Sequence, residues 1–188
     1  LGGANDPGDR FGSALAAGDL TGLGGYDELI VGAPFSDAGH LQDAGAIWVL
    51  RGSSNGLTAT SPIPVNASVG GSIEAAARFG SALACGTFWG GVYDGLAVGE
   101  PYRTVDGKAA AGRVYVAQGG FTGLDWTDDG LVLDQSDAGE TVDAHDHFGQ
   151  ELAAGHFDVH AESHEDLFVG APGEGAGAVA AGWIGILY

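Results

Sequence analysis

The chain has 188 residues, of which 45% are apolar, so it has enough material for one globular unit or two very small ones. It contains 36 glycines and 6 prolines without a Gly-X-Y period, which excludes a collagen-like fibre and favours a repeated, turn-rich fold. Its 25 acidic and 6 basic residues give a net charge of −19, which disfavours binding to nucleic acid or anionic lipid and makes cations the natural partners.

Neither the cysteine content nor the hydropathy indicates a compartment. Cys85 is the single cysteine, so an intramolecular disulfide is excluded. The apolar stretches are interrupted by glycine or aspartate well short of the roughly 20 residues that span a bilayer. Residues 1–10 lack the apolar core of a signal peptide. We therefore expect a soluble chain, in keeping with a mature fragment.

A repeat organises the sequence. Phe-Gly occurs at Phe11, Phe79 and Phe148, at spacings of 68 and 69 residues. The copies continue with ELIVGAP, GLAVGEP and DLFVGAP, and later with AGAIWVL, AGRVYVA and AGWIGIL, at a constant 32 or 33 residues from Phe-Gly to Ala-Gly. Such spacing predicts three copies of one structural unit. The predicted units are 11–78, 79–147 and an incomplete 148–188, with 1–10 belonging to a preceding outer strand or linker.

Each unit is predicted to consist of short strands separated by turns. In chain order, the first unit has a small-residue strand at Phe11 to Ala17, a continuous apolar strand at Leu29 to Ala33 and a β-branched and aromatic strand at Ala46 to Leu50. A weaker fourth strand is predicted at Pro62 to Ala67. Four such strands form a sheet that must stack on its neighbours to bury both faces. Later counterparts include Leu131 to Asp134, Arg113 to Ala117 and Trp183 to Leu187.

These motifs resemble the FG-GAP repeat, the family of the β-propeller head of integrin α subunits and of many secreted bacterial proteins. The resemblance rests on Phe11-Gly12 with Gly32-Ala33-Pro34, and on Phe148-Gly149 with Gly170-Ala171-Pro172, and it covers essentially the whole chain. The middle copy departs from it with Gly99-Glu100-Pro101. The resemblance implies an all-β β-propeller of four-stranded antiparallel blades, of which this chain supplies three, or a partial ring. Family propellers usually close with about seven blades, so either further blades complete the ring or copies of the chain assemble.

The resemblance also implies calcium-binding loops between the first and second strands, where the family pattern is D-x-[DN]-x-D-G-x-x-D. The first loop departs from that pattern by one inserted residue and by the lack of a central acid, so a weakened site is expected. In the second loop Gly95 replaces an expected acid, and no metal is predicted there. The third loop retains Asp158 and Asp166 and is expected to hold calcium loosely. The candidate ligands of the first loop are Asp19, Thr21, Leu23, Asp27 and Glu28.

The third loop has a rival interpretation. His156, His160 and His164 recur every four residues, which on a helix would align them for zinc or copper. A loop between two strands is too short to form such a helix comfortably, so a solvated polar loop is favoured.

Two other residues have a structural and a chemical interpretation. Asn66-Ala67-Ser68 fits the N-glycosylation sequon and is predicted to be exposed on an outer strand. Cys85 aligns with alanines in the other units, which favours a small buried hydrophobe over a nucleophile.

The predicted function is that of an extracellular or cell-surface, non-catalytic binding and adhesion module of integrin-like FG-GAP type, with degenerate calcium loops. Common nucleophile, metalloprotease and phosphate-loop motifs are absent from the sequence, so an enzyme is not expected. The ligand is expected to be a protein or a glycan on one propeller face, and self-association is a further expectation. The alternative is a structural surface protein that assembles blades into rings or filaments. The loops predicted to contact the ligand are 35–44, 102–111 and 173–181.

Overall fold

A computed structural model describes residues 7–22, 25–58, 65–126, 130–157, 164–175 and 182–187. Within these ranges the chain is all-β, with antiparallel strands, two short 3₁₀ helices and no α-helix. The predicted strand Pro62 to Ala67 and the predicted ligand loop 173–181 fall partly outside these ranges. The strands are β1 (Ala14–Gly18), β2 (Glu28–Ala33), β3 (Ala46–Leu50), β4 (Leu83–Gly86), β5 (Gly95–Glu100), β6 (Arg113–Ala117), β7 (Leu131–Leu133), β8 (Glu151–Gly155), β9 (Asp166–Ala171) and β10 (Trp183–Leu187).

The strands form three sheets, and each sheet contains strands of one repeat in chain order: β1-β2-β3, β4-β5-β6-β7 and β8-β9-β10. The sheets share a register, because Val31 lies opposite Trp48 in the first sheet and Val98 lies opposite Tyr115 in the second. We call these sheets blades 1, 2 and 3. Blade 1 also has a single residue in the place of a fourth strand. Val65 pairs there with Ile47 through backbone hydrogen bonds of 2.8 and 3.0 Å.

The blades stack through their first strands, since β4 contacts β1 on one side and β8 on the other. One apolar cluster fills the junction between blades 1 and 2, and it includes Ile30, Leu96 and Tyr115. A second cluster fills the junction between blades 2 and 3, and it includes Val114 and Val169. The fold is therefore a partial β-propeller, an arc of blades that does not close into a ring.

The motif residues meet at each junction. Phe79 is fully buried, and its amide donates to the carbonyl of Ala44 at 2.9 Å, so the Phe-Gly of one blade binds the Ala-Gly of the blade before it. Gly32 lies against the next blade, where an added Cβ would come within 2.2 Å of the Gly80 carbonyl oxygen. Gly99 repeats this contact with blade 3. The Phe-Gly, Gly-Ala-Pro and Ala-Gly motifs thus encode one inter-blade joint.

Several predicted strand boundaries are wrong. The first strand begins at Ala14 and not at Phe11, because Phe11 and Gly12 form a turn in which Gly12 has a φ of 92° that a side chain would strain. The outer strand predicted to reach Ala67 ends earlier, because Ala67–Gly70 forms a 3₁₀ helix. In blade 2 the outer strand ends at Leu133, one residue before its predicted end.

Two aromatic residues of the third strands are buried. Tyr115 is buried in the first junction, where its ring meets the ring of Phe79 edge-on at 5.3 Å. Trp48 is buried in blade 1 and contacts the ring of Phe11 at 5.5 Å. In the described part of the chain, no helix has the length and hydropathy needed to cross a membrane.

Candidate metal-binding loops and inter-blade clasps

The first loop brings three of its predicted metal ligands into one turn. The Glu28 carboxylate is buried, and it accepts hydrogen bonds from the Leu20 amide and the Thr21 hydroxyl, each at 3.0 Å. Asp19 accepts from the Gly22 amide at 2.6 Å. Glu28 begins β2 and Asp19 directly follows β1, so the antiparallel pairing of the two strands sets this geometry.

These hydrogen bonds shape the loop, and each of the carboxylate oxygens retains a second lone pair for a cation. Asp27 is exposed, and Leu23 lies outside the described residues. Among the residues that the structure describes, no three acidic, histidine or cysteine side chains are grouped as metal ligands. The first loop therefore supplies a partial ligand set, and calcium binding there stays a prediction.

In the third loop, Asp166 is buried at the start of β9 and accepts a hydrogen bond from the Phe157 amide at 2.8 Å. It occupies the same place in its blade as Glu28 does in blade 1, and it closes the loop in the same way. Asp158 and His160 lie outside the described residues, so the structure does not test the loose calcium site or the three-histidine alternative.

An acid directly before the second strand binds the preceding blade at both junctions. Asp94 accepts a hydrogen bond from the Asp19 amide at 2.9 Å and returns one from its own amide to the Asp19 carbonyl at 2.9 Å. Glu165 does the same with Thr87, with side-chain and backbone bonds of 2.8 and 3.3 Å. We call each reciprocal pair an inter-blade clasp.

The clasps were not predicted from the sequence, although a signal was present. All three copies carry an acid at this position, Asp27, Asp94 and Glu165. Burial raises the pKa of Asp94, the bond from the Asp19 amide lowers it, and the nearby charge of Glu165 raises it further. Asp94 and Glu165 therefore accept hydrogen bonds from backbone amides of the preceding blade and are not part of a set of metal ligands within the described ranges.

Cys85 packs beside the first junction, as expected for a small hydrophobe. Burial, with the nearby charges of Asp94 and Asp27, raises the pKa of its thiol to about 12. A thiol with that pKa is protonated at neutral pH and is a poor nucleophile.

Glu100, the residue that breaks the Gly-Ala-Pro motif, is completely buried in blade 2. One carboxylate oxygen accepts a hydrogen bond from the Tyr115 hydroxyl at 2.6 Å and lies 3.9 Å from the Arg103 guanidinium. The other oxygen has no hydrogen-bond partner among the described residues. Arg103 in turn pairs with Glu74 at 3.3 Å and donates to the Ser72 carbonyl at 2.8 Å. Blade 2 is thereby tied to the linker that enters it.

The opposite ends of the blades carry a ladder of cationic and aromatic side chains. Arg10 lies 4.1 Å from the ring centre of Phe35, and Arg78 lies 4.5 Å from Phe35 and 4.2 Å from Tyr102. The Tyr102 ring is 4.7 Å from His147. The three basic residues each precede a Phe-Gly, and each has a positive φ of 54° to 60°. The ladder crosses both junctions and holds the loops after the second strands in place.

The predicted glycosylation residue Asn66 has a structural role. Its side-chain oxygen accepts a hydrogen bond from the Ser68 amide at 3.1 Å and caps the 3₁₀ helix that follows. Asp134 caps the equivalent 3₁₀ helix of the next repeat through Ser136. The cap accounts for a polar residue at this position in both copies, and glycosylation of Asn66 stays a prediction.

Comparison with known proteins agrees with this architecture. Residues 25–50 match the FG-GAP repeat. The chain is 31% identical over 192 residues to the phosphatidylinositol-glycan-specific phospholipase D of Bos taurus, an alignment that covers 97% of this chain and 22% of that protein. It is 33% identical over 168 residues to integrin alpha-PS5 of Drosophila melanogaster, covering 88% of this chain and 15% of that protein. The chain thus spans less than a quarter of the length of either relative.

Stacked antiparallel blades joined by Phe-Gly and Gly-Ala-Pro contacts define the propeller class of repeat proteins. Within that class, the chain is an FG-GAP repeat protein of integrin-like type.

Proposed function

We propose that the chain is part of an extracellular, non-catalytic binding module whose ligand, a protein or a glycan, contacts the loops that follow the second strands. The observation that carries this proposal is that two such loops share a backbone and differ in side chains. Each has a paired two-residue tip, between Ala38 and Leu41 in blade 1 and between Val105 and Lys108 in blade 2. Antiparallel strand order places both loops at the same end of the blades.

Backbone hydrogen bonds close both loops at their bases. The Gly45 amide donates to the Ser36 carbonyl at 2.9 Å, and the Gly112 amide donates to the Arg103 carbonyl at 3.0 Å. The ladder of Phe35, Arg78 and Tyr102 connects the two bases. Exposed residues then differ from loop to loop, with His40 at one tip and Asp106 and Lys108 at the other. Variable side chains on a fixed scaffold are typical of a binding surface.

The tips allow a matched test of ligand contact. Exchanging Gly39-His40 for the Asp-Gly of the second tip, as Gly39→Asp with His40→Gly, keeps a two-residue turn and changes only the exposed chemistry. The labelled chain would be applied to a glycan array and to a panel of extracellular-matrix proteins. We expect the exchange to weaken binding at least tenfold, while Val92→Asp at the other end of blade 2 leaves it unchanged. Equal binding by wild type and tip variant, with loss in Val92→Asp, would place the ligand on the opposite face.

We further propose that the first loop binds calcium through Asp19, Thr21 and Glu28, with Leu23 and Asp27 as the remaining candidates, and that Asp158 and Asp166 bind it in the third loop. The support is the convergence of carboxylate and hydroxyl oxygens in the first loop, which suits a hard cation. An ion bound only by the folded state adds about 2.7 kcal/mol at a hundredfold excess over Kd.

The calcium proposal is tested by thermal unfolding at fixed ionic strength. We expect CaCl2 to raise the Tm of the wild type relative to NaCl and to have a smaller effect on Glu28→Gln. The variant keeps the size of the side chain and removes its charge. A Tm that responds equally to both salts, or equally in both proteins, would contradict calcium binding by this loop.

The non-catalytic part of the proposal rests on the sequence, which lacks the common nucleophile motifs, and on the raised pKa of the Cys85 thiol. One relative is named as a phospholipase, and the segment it shares with this chain is 22% of its length. Hydrolysis of phosphatidylinositol-glycan by this chain alone would contradict the proposal.

A further inference from the structure

Two arginines of the ladder carry a positive charge that no described acid neutralises. Both guanidiniums face the ring of Phe35, Arg10 at 4.1 Å and Arg78 at 4.5 Å from its centre. Within the described ranges neither forms an ion pair, and the buried Nε of Arg78 has no hydrogen-bond partner. Two like charges that contact one ring repel each other, although the chain contains 25 acids that could separate them. An anion from outside the chain would relieve this repulsion.

A third arginine at the same end of the blades is paired in the usual way. Arg103 lies 3.3 Å from the Glu74 carboxylate and is almost fully buried. Acids of this region also have partners of their own, since Asp37 accepts a hydrogen bond from the Asp43 amide at 2.9 Å and Glu74 accepts one from Thr104 at 2.7 Å. The unpaired charge is therefore specific to Arg10 and Arg78.

The aromatic rings hold the arginines in position and leave their N–H groups unused. The Arg78 guanidinium contacts two rings, Phe35 at 4.5 Å and Tyr102 at 4.2 Å, which restricts its motion. A guanidinium presents a planar fork of N–H donors that matches the two oxygens of a carboxylate. Arg10 is exposed and Arg78 is half-buried, so a ligand can reach both from solvent. Because the rings already restrict the side chains, binding loses little of their conformational freedom.

We propose that Arg10 and Arg78 bind a carboxylate of the ligand, the side chain of an aspartate or glutamate in a protein. This inference rests on the proposed function, because Phe35 and Tyr102 lie in the loops assigned to ligand contact. A single carboxylate is favoured over a polyanion such as a sulfated glycan. Asp37 and Asp106 are exposed on the same loops, and the chain has a net charge of −19, so a polyanion is repelled as it approaches.

The test uses a small probe, N-acetyl-aspartate N-methylamide, with the neutral N-acetyl-asparagine N-methylamide as its match. In protein labelled with ¹⁵N-arginine, NMR follows the Nε–Hε group of each arginine. We expect the aspartate probe to shift the signals of Arg10 and Arg78 with a Kd of about 1 mM. Arg51 is exposed at the other end of blade 1, and its signal is expected to stay unchanged. Unchanged signals of Arg10 and Arg78, or equal shifts with both probes, would overturn the proposal.

Variants assign the binding to the guanidinium fork. Arg78→Gln removes the charge and is expected to weaken probe binding about tenfold, whereas Arg78→Lys keeps the charge without the fork and is expected to fall between it and the wild type. Arg51→Gln is the matched control and is expected to bind as the wild type does. If circular dichroism indicates that Arg78→Gln is unfolded, Arg10→Gln at its exposed position replaces it. Equal affinity in the wild type and in the folded charge-removing variant would contradict the assignment.

Further outcomes separate this inference from the proposed function. A sulfated heparin disaccharide that binds about tenfold more tightly than the aspartate probe would overturn the carboxylate assignment in favour of a glycan. A matrix protein that binds the wild type and Arg78→Gln equally would overturn the inference and leave the proposed function intact. Probe binding at both arginines, with no ligand among the matrix proteins and glycans, would support the carboxylate site and contradict the proposed function.

Discussion

Glu100 stands where the other two copies have Ala33 and Ala171. Its burial has the largest effect on the pKa of its carboxyl group. Burial raises its pKa to about 7, while the Tyr115 hydrogen bond and the Arg103 charge act in the opposite direction. The neighbouring Glu74 raises it and Arg113 lowers it. A carboxyl that is buried with one unpartnered oxygen is more stable as the neutral acid.

This pKa predicts that the folded protein loses stability as the pH rises. Below pH 4.5, the ordinary pKa of a glutamate, Glu100 is protonated in both folded and unfolded chains. Between 4.5 and about 7 the unfolded chain releases its proton first, so the free energy of unfolding falls with pH, by up to about 3 kcal/mol. Above about pH 7 Glu100 is ionised in both states, and the free energy of unfolding does not fall further on its account.

Urea unfolding of wild type and Glu100→Gln at pH 5 and pH 8 measures this effect. The difference between the two proteins cancels the titration of the other acids. We expect Glu100→Gln to gain stability relative to the wild type on going from pH 5 to pH 8. A difference that is the same at both pH values would show that Glu100 ionises as an exposed glutamate does.

At the scale of elements, the glycine near the end of the second strand at a junction, Gly32 or Gly99, is required by the next blade. An added Cβ at Gly99 would lie 2.0 Å from the Gly149 carbonyl oxygen, which is backbone and cannot move alone. At Gly170, which contacts no further blade among the described residues, the nearest atom is 3.4 Å away. A side chain larger than hydrogen is therefore excluded at this position of the motif where another blade packs against it, as at Gly99, and has room at Gly170.

Gly99→Ala is consequently expected to destabilise the protein by about 3 kcal/mol, because blades 2 and 3 must separate to admit a methyl group. The matched control is Gly91→Ala, where the nearest atom is 3.9 Å away, and a change within about 0.5 kcal/mol is expected. Urea denaturation of the two variants compares them directly. Equal stabilities would mean that the blades do not approach as closely as the structure indicates.

The sequence predicted the elements better than the contacts between them. The bounds of β3, β6 and β10 were predicted to the residue, because the apolar run after each Ala-Gly begins and ends sharply. The start of β1 was missed, since a turn that contains Gly12 and a strand rich in small residues have similar composition. The clasps join residues 75 and 78 positions apart in different repeats, and the ladder joins the loops of neighbouring blades; periodicity within one repeat carries no information about such pairs.

At the scale of the whole molecule, the net charge of −19 opposes folding. The described ion pairs are few, and Lys108 with Asp143 at 3.3 Å is an exposed pair of little energetic value. Most of the acids therefore repel one another without nearby compensation.

We expect the Tm to rise between about 10 mM and about 150 mM NaCl, as the Debye length falls from about 30 Å to about 8 Å. The exposed substitution Glu140→Lys lowers the repulsion by two charges and is expected to reduce this salt dependence. Differential scanning calorimetry of both proteins would measure it. A wild-type Tm that does not change with salt would mean that repulsion is equally strong in the unfolded chain.

Blade 2 differs from its neighbours in being covered on both faces, and all six residues of β5 are buried. Amide protons in that strand are paired within blade 2 and shielded by both junctions, whereas those of β1 and β8 each border one junction. In deuterated water, the labelling times should thus be longest in β5 and shorten toward both ends of the arc. The slowest-exchanging unit of this protein is then its central blade, and the first and last blades exchange on shorter and separate timescales.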